Sequence, residues 1–488
     1  MIHAFQSGGY NIVLDVNSGA VHVTDELTYL LIPGIEEFLR ESYGSAAFSA
    51  GKDQAPGLKD DITSAMMKHL AGRLPAGCDE AEVGEAVEEI LKLREEGSLY
   101  SEDTFESYVG DFKKRPVVVK ALCLNIAHEC NLACRYCFAG EGEYRGKRAL
   151  MSAEVARAAL DFLVKNSGAR KMLEVDFFGG EPLLNKDVVK EAVRYGRELE
   201  GRSGKKFRFT LTTNGTLLDD EFMEFANEEM DNIVLSIDGR KEVNDRMRPY
   251  RGATGASGEV KSVYDTIVPK YLKMMKMRDG RSYFVRGTYT RFNKDFSEDV
   301  KHLADLGFDQ ISVEPVVAKP EDPYSIREED IPELKAEYDR LAKLYLDYRK
   351  NGKPFSFFHF NIDLEGGPCV AKRLSGCGSG CEYLGVTPWG DLYPCHQFVG
   401  DERFIMGNVY DGVTREDIRA EFLAGNVYTR DECKNCFARY YCSGGCAANN
   451  MNFNGDVNKV YREGCELQRK RIECAIMIKV AESEEMGQ

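Results

Sequence analysis

No run of about 18 apolar residues occurs in this 488-residue sequence, so no membrane-spanning helix is expected. The first ten residues, Met1 to Tyr10, lack a basic segment and a long apolar stretch, so no secretory signal is expected either. There is one tryptophan, no low-complexity segment and no internal repeat. Positive charge is in deficit: 64 Lys and Arg stand against 80 Asp and Glu, a net charge of −16. That balance keeps the chain soluble and argues against nucleic acid or an anionic membrane as a partner. The expected compartment is the cytoplasm, where thiols stay reduced.

What the chain does have is cysteine. Fifteen occur, and eleven fall in two windows, 130–137 and 377–465. In a reducing compartment disulfides are disfavoured, and clustering of this kind in a large chain points to metal. Cys78, Cys123 and Cys474 stand apart and read as buried apolar fillers.

The length suits two to four domains. Residues 1–100 read as a small unit, with strands at Tyr10–Val16 and Ala20–Val23 around an Asn17-Ser18-Gly19 turn. Helical patterns follow at 25–42, 60–72 and 80–95, suggesting a winged-helix shape. With 7 Lys and Arg against 17 Asp and Glu, this unit has the wrong sign for DNA. Peptide binding by strand addition fits better. Residues 101–118 read as a polar linker. Strand patterns at 120–126, 173–178, 207–212, 232–236, 282–290 and 309–314 then alternate with helical patterns. The helical patterns fall at 152–166, 186–199, 220–228, 259–277, 295–306 and 330–350. Six such units imply a parallel sheet or open barrel, with chemistry at the C-terminal strand ends. After about residue 366, short irregular segments rich in Cys and Gly dominate, and metal clusters would staple them.

Cys130, Cys134 and Cys137 follow the first strand of the repeat in a C-x3-C-x2-C spacing, with Tyr136 before the last Cys. Three thiolates on one loop can hold a four-iron cluster and leave one iron open. A zinc site with His128 as fourth ligand is the competing reading. Gly179-Gly180-Glu181-Pro182, Thr212-Thr213-Asn214-Gly215 and Leu235-Ser236-Ile237-Asp238-Gly239 close the next three strands in order. Together these motifs resemble the radical S-adenosylmethionine (SAM) enzymes. The resemblance implies a partial (β/α)6 TIM barrel, α/β in class, over residues 101–365. It implies that Cys130, Cys134 and Cys137 hold a [4Fe-4S] cluster whose open iron binds SAM. Tyr136, Gly179, Gly180, Glu181, Asn214, Ser236 and Asp238 would then contact SAM. Reductive cleavage of SAM yields a deoxyadenosyl radical that abstracts hydrogen from substrate.

Further on, Cys395 precedes Cys433-x2-Cys436-x5-Cys442-x3-Cys446 and then Cys465, with Cys369, Cys377 and Cys381 upstream. This pattern is similar to the SPASM domain, which carries auxiliary clusters, and assigns it to residues 366–488. A zinc ribbon is the alternative, disfavoured by the x5 and x3 spacings. By that similarity, Cys433, Cys436, Cys442 and Cys465 hold an outer [4Fe-4S] cluster. Cys395 and Cys446 hold an inner one with Cys377 and Cys381. Cys369 is a third upstream candidate, and the inner cluster can instead keep an open iron for a substrate thiolate.

The stretches Tyr10–Val23 and Thr387–Phe398 resemble the maturases of SCIFF peptides, short Cys-rich ribosomal peptides. That family forms thioether bridges between a Cys sulfur and a carbon of another residue, and its N-terminal domain is a recognition element for a leader peptide. The resemblance implies three [4Fe-4S] clusters, SAM, a Cys-rich precursor peptide as partner, and flavodoxin or ferredoxin as electron donor in an anaerobic cytoplasm. The rival enzyme reading is a sulfatase-type maturase that makes formylglycine. An iron–sulfur electron carrier and a DNA-binding redox sensor are the rivals of other classes, weakened by the SAM motifs and by the acidic N-terminal unit. Arg246, Arg248 and Arg251 either hold the SAM carboxylate or form a solvated loop. Arg286, inside a strand pattern, faces the barrel interior or joins a buried ion pair.

Overall fold

The structure is a computed structural model describing residues 1–43, 59–71, 74, 78–110, 117–144, 146, 148–252, 261–364, 374 and 376–487. Cys369 lies outside them. So does much of the segment that would open the C-terminal domain.

The N-terminal ribbon has one strand more than expected. β1 (Ile2–Ser7), β2 (Tyr10–Asp15) and β3 (Val21–Thr24) form an antiparallel sheet in that order. β1 turns into β2 through Gly8 and Gly9, whose φ angles of 60° and 90° suit a two-residue hairpin. α1 (Glu26–Tyr43), α2 (Lys59–Leu70) and α3 (Glu80–Glu95) pack on one face of the sheet, with Val13, Leu31, Ile35, Val83 and Val87 in a small core. The other face carries Phe5, Ile12, Leu14 and Val16 into the main core of the molecule. The unit is thus fused to the rest by its own sheet.

Six parallel strands follow, neighbours in sequence order: β4 (Ala121–Ala127), β5 (Met172–Gly179), β6 (Lys206–Thr213), β7 (Asn232–Ser236), β8 (Tyr283–Tyr289) and β9 (Gln310–Pro315). The helices of the repeat are α4 (Ala153–Asn166), α5 (Lys186–Ser203), α6 (Asp220–Glu229), α7 (Lys241–Met247), α8 (Val263–Arg278), α9 (Phe296–Asp305) and α10 (Ile331–Lys350). Ser152 caps α4, Asp219 caps α6 and Ser262 caps α8, each accepting a backbone N–H of the first turn. Along β5, Leu173, Val175 and Phe177 are buried while Asp176 and Phe178 line interior cavities. The period of two therefore separates packing from chemistry.

The sheet does not stop at the repeat. β10 (Ser356–Phe357) extends it beside β9, and β11 (Tyr383–Val386) adds in parallel to the free edge of β4. β12 (Asp391–Tyr393), β13 (Gly407–Asn408) and β14 (Gly412–Val413) continue it antiparallel, giving eleven strands. The C-terminal region also holds α11 (Glu416–Ala424), α12 (Ala447–Asn454) and α13 (Arg462–Gly487). A 26-residue helix corrects the expectation of short irregular segments there. α13 packs on α10 and reaches β1, where Glu473 meets His3 at 3.0 Å. No helix among the described residues is long and apolar enough to cross a membrane.

The 101–118 segment is pinned where it is described. Arg439, 4% exposed, donates to Asp103 at 2.8 Å and to Asn17 at 2.7 Å. The hydroxyls of Tyr428 and Tyr440 donate to the same Asp103 carboxylate at 2.8 and 3.2 Å.

Candidate active site

The loop after β4 is held by its backbone. The N–H groups of Ala133 and Arg135 donate to the carbonyls of Pro249 and Met247 at 2.8 and 2.9 Å, and Cys137 N–H to Cys134 at 3.1 Å. This aims the thiols of Cys130, Cys134 and Cys137 into a cavity of about 170 Å³. Tyr136, Gly179, Gly180, Glu181, Asn214 and Ser236 also line it. Chain segments up to about a hundred residues apart thus meet around one cavity.

Close backbone approach explains the glycines. A Cβ on Gly180 would stand 2.1 Å from the Glu129 carbonyl oxygen, and one on Gly179 would stand 2.4 Å from that of Ala127. Gly180 N–H donates to Ala127 O at 2.7 Å and Glu181 N–H to Glu129 O at 2.9 Å. Glu181 is fully buried. Its carboxylate accepts from Leu183 N–H at 2.9 Å, Thr213 Oγ1 at 2.7 Å and Asn214 N–H at 2.7 Å. It joins the β5 and β6 strand ends. Asn214 Nδ2 lies 3.7 Å from Cys130 Sγ.

Asp238 stands behind the cavity wall. It is fully buried and accepts from Tyr136 Oη at 2.7 Å and from Thr288 N–H at 3.1 Å. Burial pushes its carboxyl up to about 6, opposed by Arg248. Arg248 donates to Tyr136 Oη at 2.8 Å and is the arginine of the Arg246, Arg248, Arg251 group that lines the cavity. Arg246 donates instead to the Phe292 carbonyl, and Arg251 to Glu141 and Glu143. His128 lies with its ring stacked on Tyr144 and edge-on to Trp389, neither nitrogen hydrogen-bonded. Burial lowers it to about 4.

Burial pushes the Cys130 thiol up to about 12, reinforced by Glu181. The Cys134 thiol is pushed up equally, opposed there by Arg248. Such thiols ionise at neutral pH only against a bound cation. Among the described residues no three His, Cys, Asp or Glu side chains converge on one ion. The thiols line the wall of a cavity instead, a donor set that fits an iron–sulfur cluster larger than an ion. The glycine cradle, Asn214 and Arg248 beside it fit a ligand with amino and carboxylate groups.

A second cavity, of about 400 Å³, shares Tyr136, Phe138, Phe178, Thr212, Ser236 and Arg248 with the first. Its floor is a polar tier set by strand register. Cys123 on β4 is opposite Asp176 on β5, Asp176 is opposite Thr210 on β6, and Thr210 is opposite Asn232 on β7. Arg286 lines this cavity and donates to Glu314 at 2.7 and 2.6 Å, an ion pair open to the cavity rather than the buried pair of the alternative expectation. Cys123, expected to be filler, faces the cavity with its thiol hydrogen-bonded to Tyr383. The Tyr383 hydroxyl in turn meets His396 Nδ1 at 2.8 Å. Sequence reasoning missed Asp176, Cys123, Tyr383 and His396. The period of two along β4 and β5 was the available signal for the first two.

In the C-terminal region, Cys433, Cys436, Cys442 and Cys465 line one small cavity, with Arg469 Nη1 3.9 Å from Cys436 Sγ. Burial pushes Cys433 and Cys465 up to about 12. Cys395 is raised by burial and then by its neighbours Cys377 and Cys446. Cys381 is buried and donates to the Arg419 carbonyl at 3.8 Å. Burial raises the Cys446 thiol, with Glu314 adding to it, and Glu314, His396 and Gln397, the last two following Cys395 in sequence, line the 400 Å³ cavity.

An open parallel barrel with a three-thiol loop over a glycine cradle defines a class: an enzyme fold built around a cluster and a small ligand. Residues 124–268, from β4 into α8, match the family model of the radical SAM superfamily. The chain is 26% identical over 335 residues to a cysteine-type anaerobic sulfatase-maturating enzyme of Clostridium perfringens (strain 13 / Type A), covering 65% of this chain and 85% of that protein. Among solved structures it is similar to native anSMEcpe with bound AdoMet and Cp18Cys peptide. The TM-score is 0.60 at 20% identity, over 75% of this chain and 99% of that one. It is also similar to Streptococcus suis SuiB bound to S-adenosylmethionine. There the TM-score is 0.50 at 16% identity, over 95% of this chain and 98% of that one. Both likenesses support the α/β fold with its parallel sheet.

Proposed function

We propose that this chain is a radical SAM peptide maturase that forms Cys thioether cross-links in a ribosomally made, Cys-rich precursor peptide. The observation that carries the reading is the 400 Å³ cavity, lined both by Tyr136 and Phe138 of the Cys130 loop and by His396 and Gln397, which follow Cys395. A peptide there would have its hydrogen donor near one cluster and its sulfur near another. When bound, SAM and [4Fe-4S] clusters supply a hydrogen-abstracting adenosyl group and a route for electrons. Cys130, Cys134 and Cys137 would hold the SAM cluster. Cys433, Cys436, Cys442 and Cys465 would hold the outer auxiliary cluster, and Cys377, Cys381, Cys395 and Cys446 the inner one, with Cys369 as a further candidate. Phe138 and Phe178 would keep water from the space between.

The N-terminal sheet offers the free edge of β3 for a leader peptide in a winged-helix-like recognition element. A groove of about 420 Å³ runs beside that edge, lined by Val21, Val23, Ile362, Leu364, Lys479 and Val480. Flavodoxin or ferredoxin would supply electrons in an anaerobic cytoplasm. A second reading, formylglycine formation, is favoured by the 26% identity to the sulfatase-maturating enzyme. Mass spectrometry after anaerobic turnover separates the two. Loss of two hydrogens per bridge, with those thiols resistant to alkylation, establishes the thioether. Loss of sulfur with an aldehyde that reacts with a hydrazide establishes formylglycine. Deoxyadenosine with neither change removes both.

A further inference from the structure

The floor of the 400 Å³ cavity holds a carboxyl group that the functional reading leaves without a task. Asp176 points inward from β5, where its carboxyl is bonded to Thr210 of the neighbouring strand. The other ionisable groups facing it are committed. Arg286 on β8 spends its guanidinium on Glu314 on β9, and Glu314, half-buried, is held below the usual carboxylate range by that arginine against the opposing effect of desolvation. His396 bonds Tyr383 of β11 through Nδ1, and burial holds it down to about 4. Cys123 on β4 and Tyr383 are driven well above their usual ranges by burial. Glu174, on the same strand as Asp176, adds a like charge.

We infer that Asp176 accepts the proton that the substrate thiol gives up during cross-linking, a role that rests on the maturase reading above. The step balances. The peptide S–H bond breaks and its proton goes to an Asp176 carboxylate oxygen. The acceptor C–H bond breaks and its hydrogen atom goes to the adenosyl group derived from SAM. The S–C bond forms, and the remaining electron leaves to an iron–sulfur centre of the chain. Two hydrogens are lost, one as an atom and one as a proton. Burial, with Glu174 behind it, pushes the Asp176 carboxyl up to about 6. A base in this range is ionised at neutral pH yet basic enough to take a proton. Its position beneath Thr212 and Ser236, which line both cavities, puts it within the space a bound peptide would fill.

The test compares wild type with Asp176→Asn and Asp176→Glu, loaded with clusters, SAM and a synthetic Cys-rich precursor. Infrared titration of carboxyl C=O bands in each protein without substrate is a readout that needs no turnover. The expected results are a carboxyl titrating near pH 6 in wild type and absent from Asp176→Asn. Cross-linking should fall on the order of 100-fold in Asp176→Asn while deoxyadenosine still forms, with recovery of at least about a tenth of wild type in Asp176→Glu. Asp176→Asn that cross-links within about threefold of wild type, with an unchanged pH profile, overturns the assignment. So does the absence of any carboxyl difference between wild type and Asp176→Asn near pH 6. A wild-type protein that makes deoxyadenosine but no cross-link removes the maturase reading and this role with it. That failure is distinguishable because it appears before any variant is made.

Discussion

Arg439 is the most informative residue to perturb, because it joins the N-terminal unit to the C-terminal region through one buried charge. It sits over the rings of Tyr440 and Tyr428 at 4.7 and 5.3 Å, and donates to Asp103, Asn17 and the Lys434 carbonyl. Arg439→Met keeps most of the volume and removes the charge and every donor. Breaking a buried pair by removing one partner costs about 3–5 kcal/mol, because the remaining charge is stranded. Asp103 keeps the hydroxyls of Tyr428 and Tyr440, which places the loss toward the lower end. Asp103→Asn alone should cost about 2 kcal/mol, the loss of charge-assisted acceptors. If the two act on each other, the double variant should cost at least about 1.5 kcal/mol less than the sum. The assay is urea unfolding of the cluster-loaded protein at constant ionic strength, followed through the single tryptophan, Trp389, together with proteolysis of the N-terminal unit. Additive losses, with a coupling below about 0.5 kcal/mol, would falsify the idea that this contact fastens the two regions.

Other outcomes follow from the same geometry. Gly180→Ala places a methyl group against the Glu129 carbonyl and should abolish SAM binding in calorimetry, at a stability cost of about 1–3 kcal/mol. Tyr136→Phe removes the hydroxyl that links Arg248 to Asp238 and should lower stability by about 1–3 kcal/mol, measured by thermal unfolding, while weakening SAM binding. Asp176→Asn should stabilise the fold at pH 8 and not at pH 3. The folded carboxyl titrates near 6 against an ordinary 3.8, so wild type loses stability as pH rises through that window, by up to about 3 kcal/mol. Urea midpoints for both proteins at the two pH values check the sign. Cys433→Ala should lower bound iron by about one cluster's worth while leaving SAM cleavage intact, as read by iron assay and deoxyadenosine yield.

The barrel was legible because each βα unit repeats one physical problem. Ala121–Ala127, buried along its whole length, reads as a nearly continuous apolar run, Met172–Gly179 alternates with a period of two, and a half-buried helix reads with a 3.6 period. The pattern at 173–178 became Met172–Gly179, and that at 186–199 became Lys186–Ser203. β1 escaped because His3 and Gln6 interrupt its apolar pattern, although Gly8-Gly9 is a hairpin signal. α13 escaped because charges and two cysteines mask its periodicity, and its helical face exists only against α10 and β1.

By itself the sequence determined the order of the strands and the three-thiol loop, because local spacing and period decide both. It also determined the glycine pair, since a loop that must touch another backbone tolerates no side chain. Only the tertiary structure decided which of three arginines enters the cavity, since all three lie on one short segment and only Arg248 meets Tyr136 and Asp238. Only it showed Glu181 bonded to the chain's own donors rather than free, and Asp176, Cys123, Tyr383 and His396 around one space. Those contacts join β4, β5, β11 and the turn after β12, and the register between strands distant in sequence is set by packing, which no local pattern encodes.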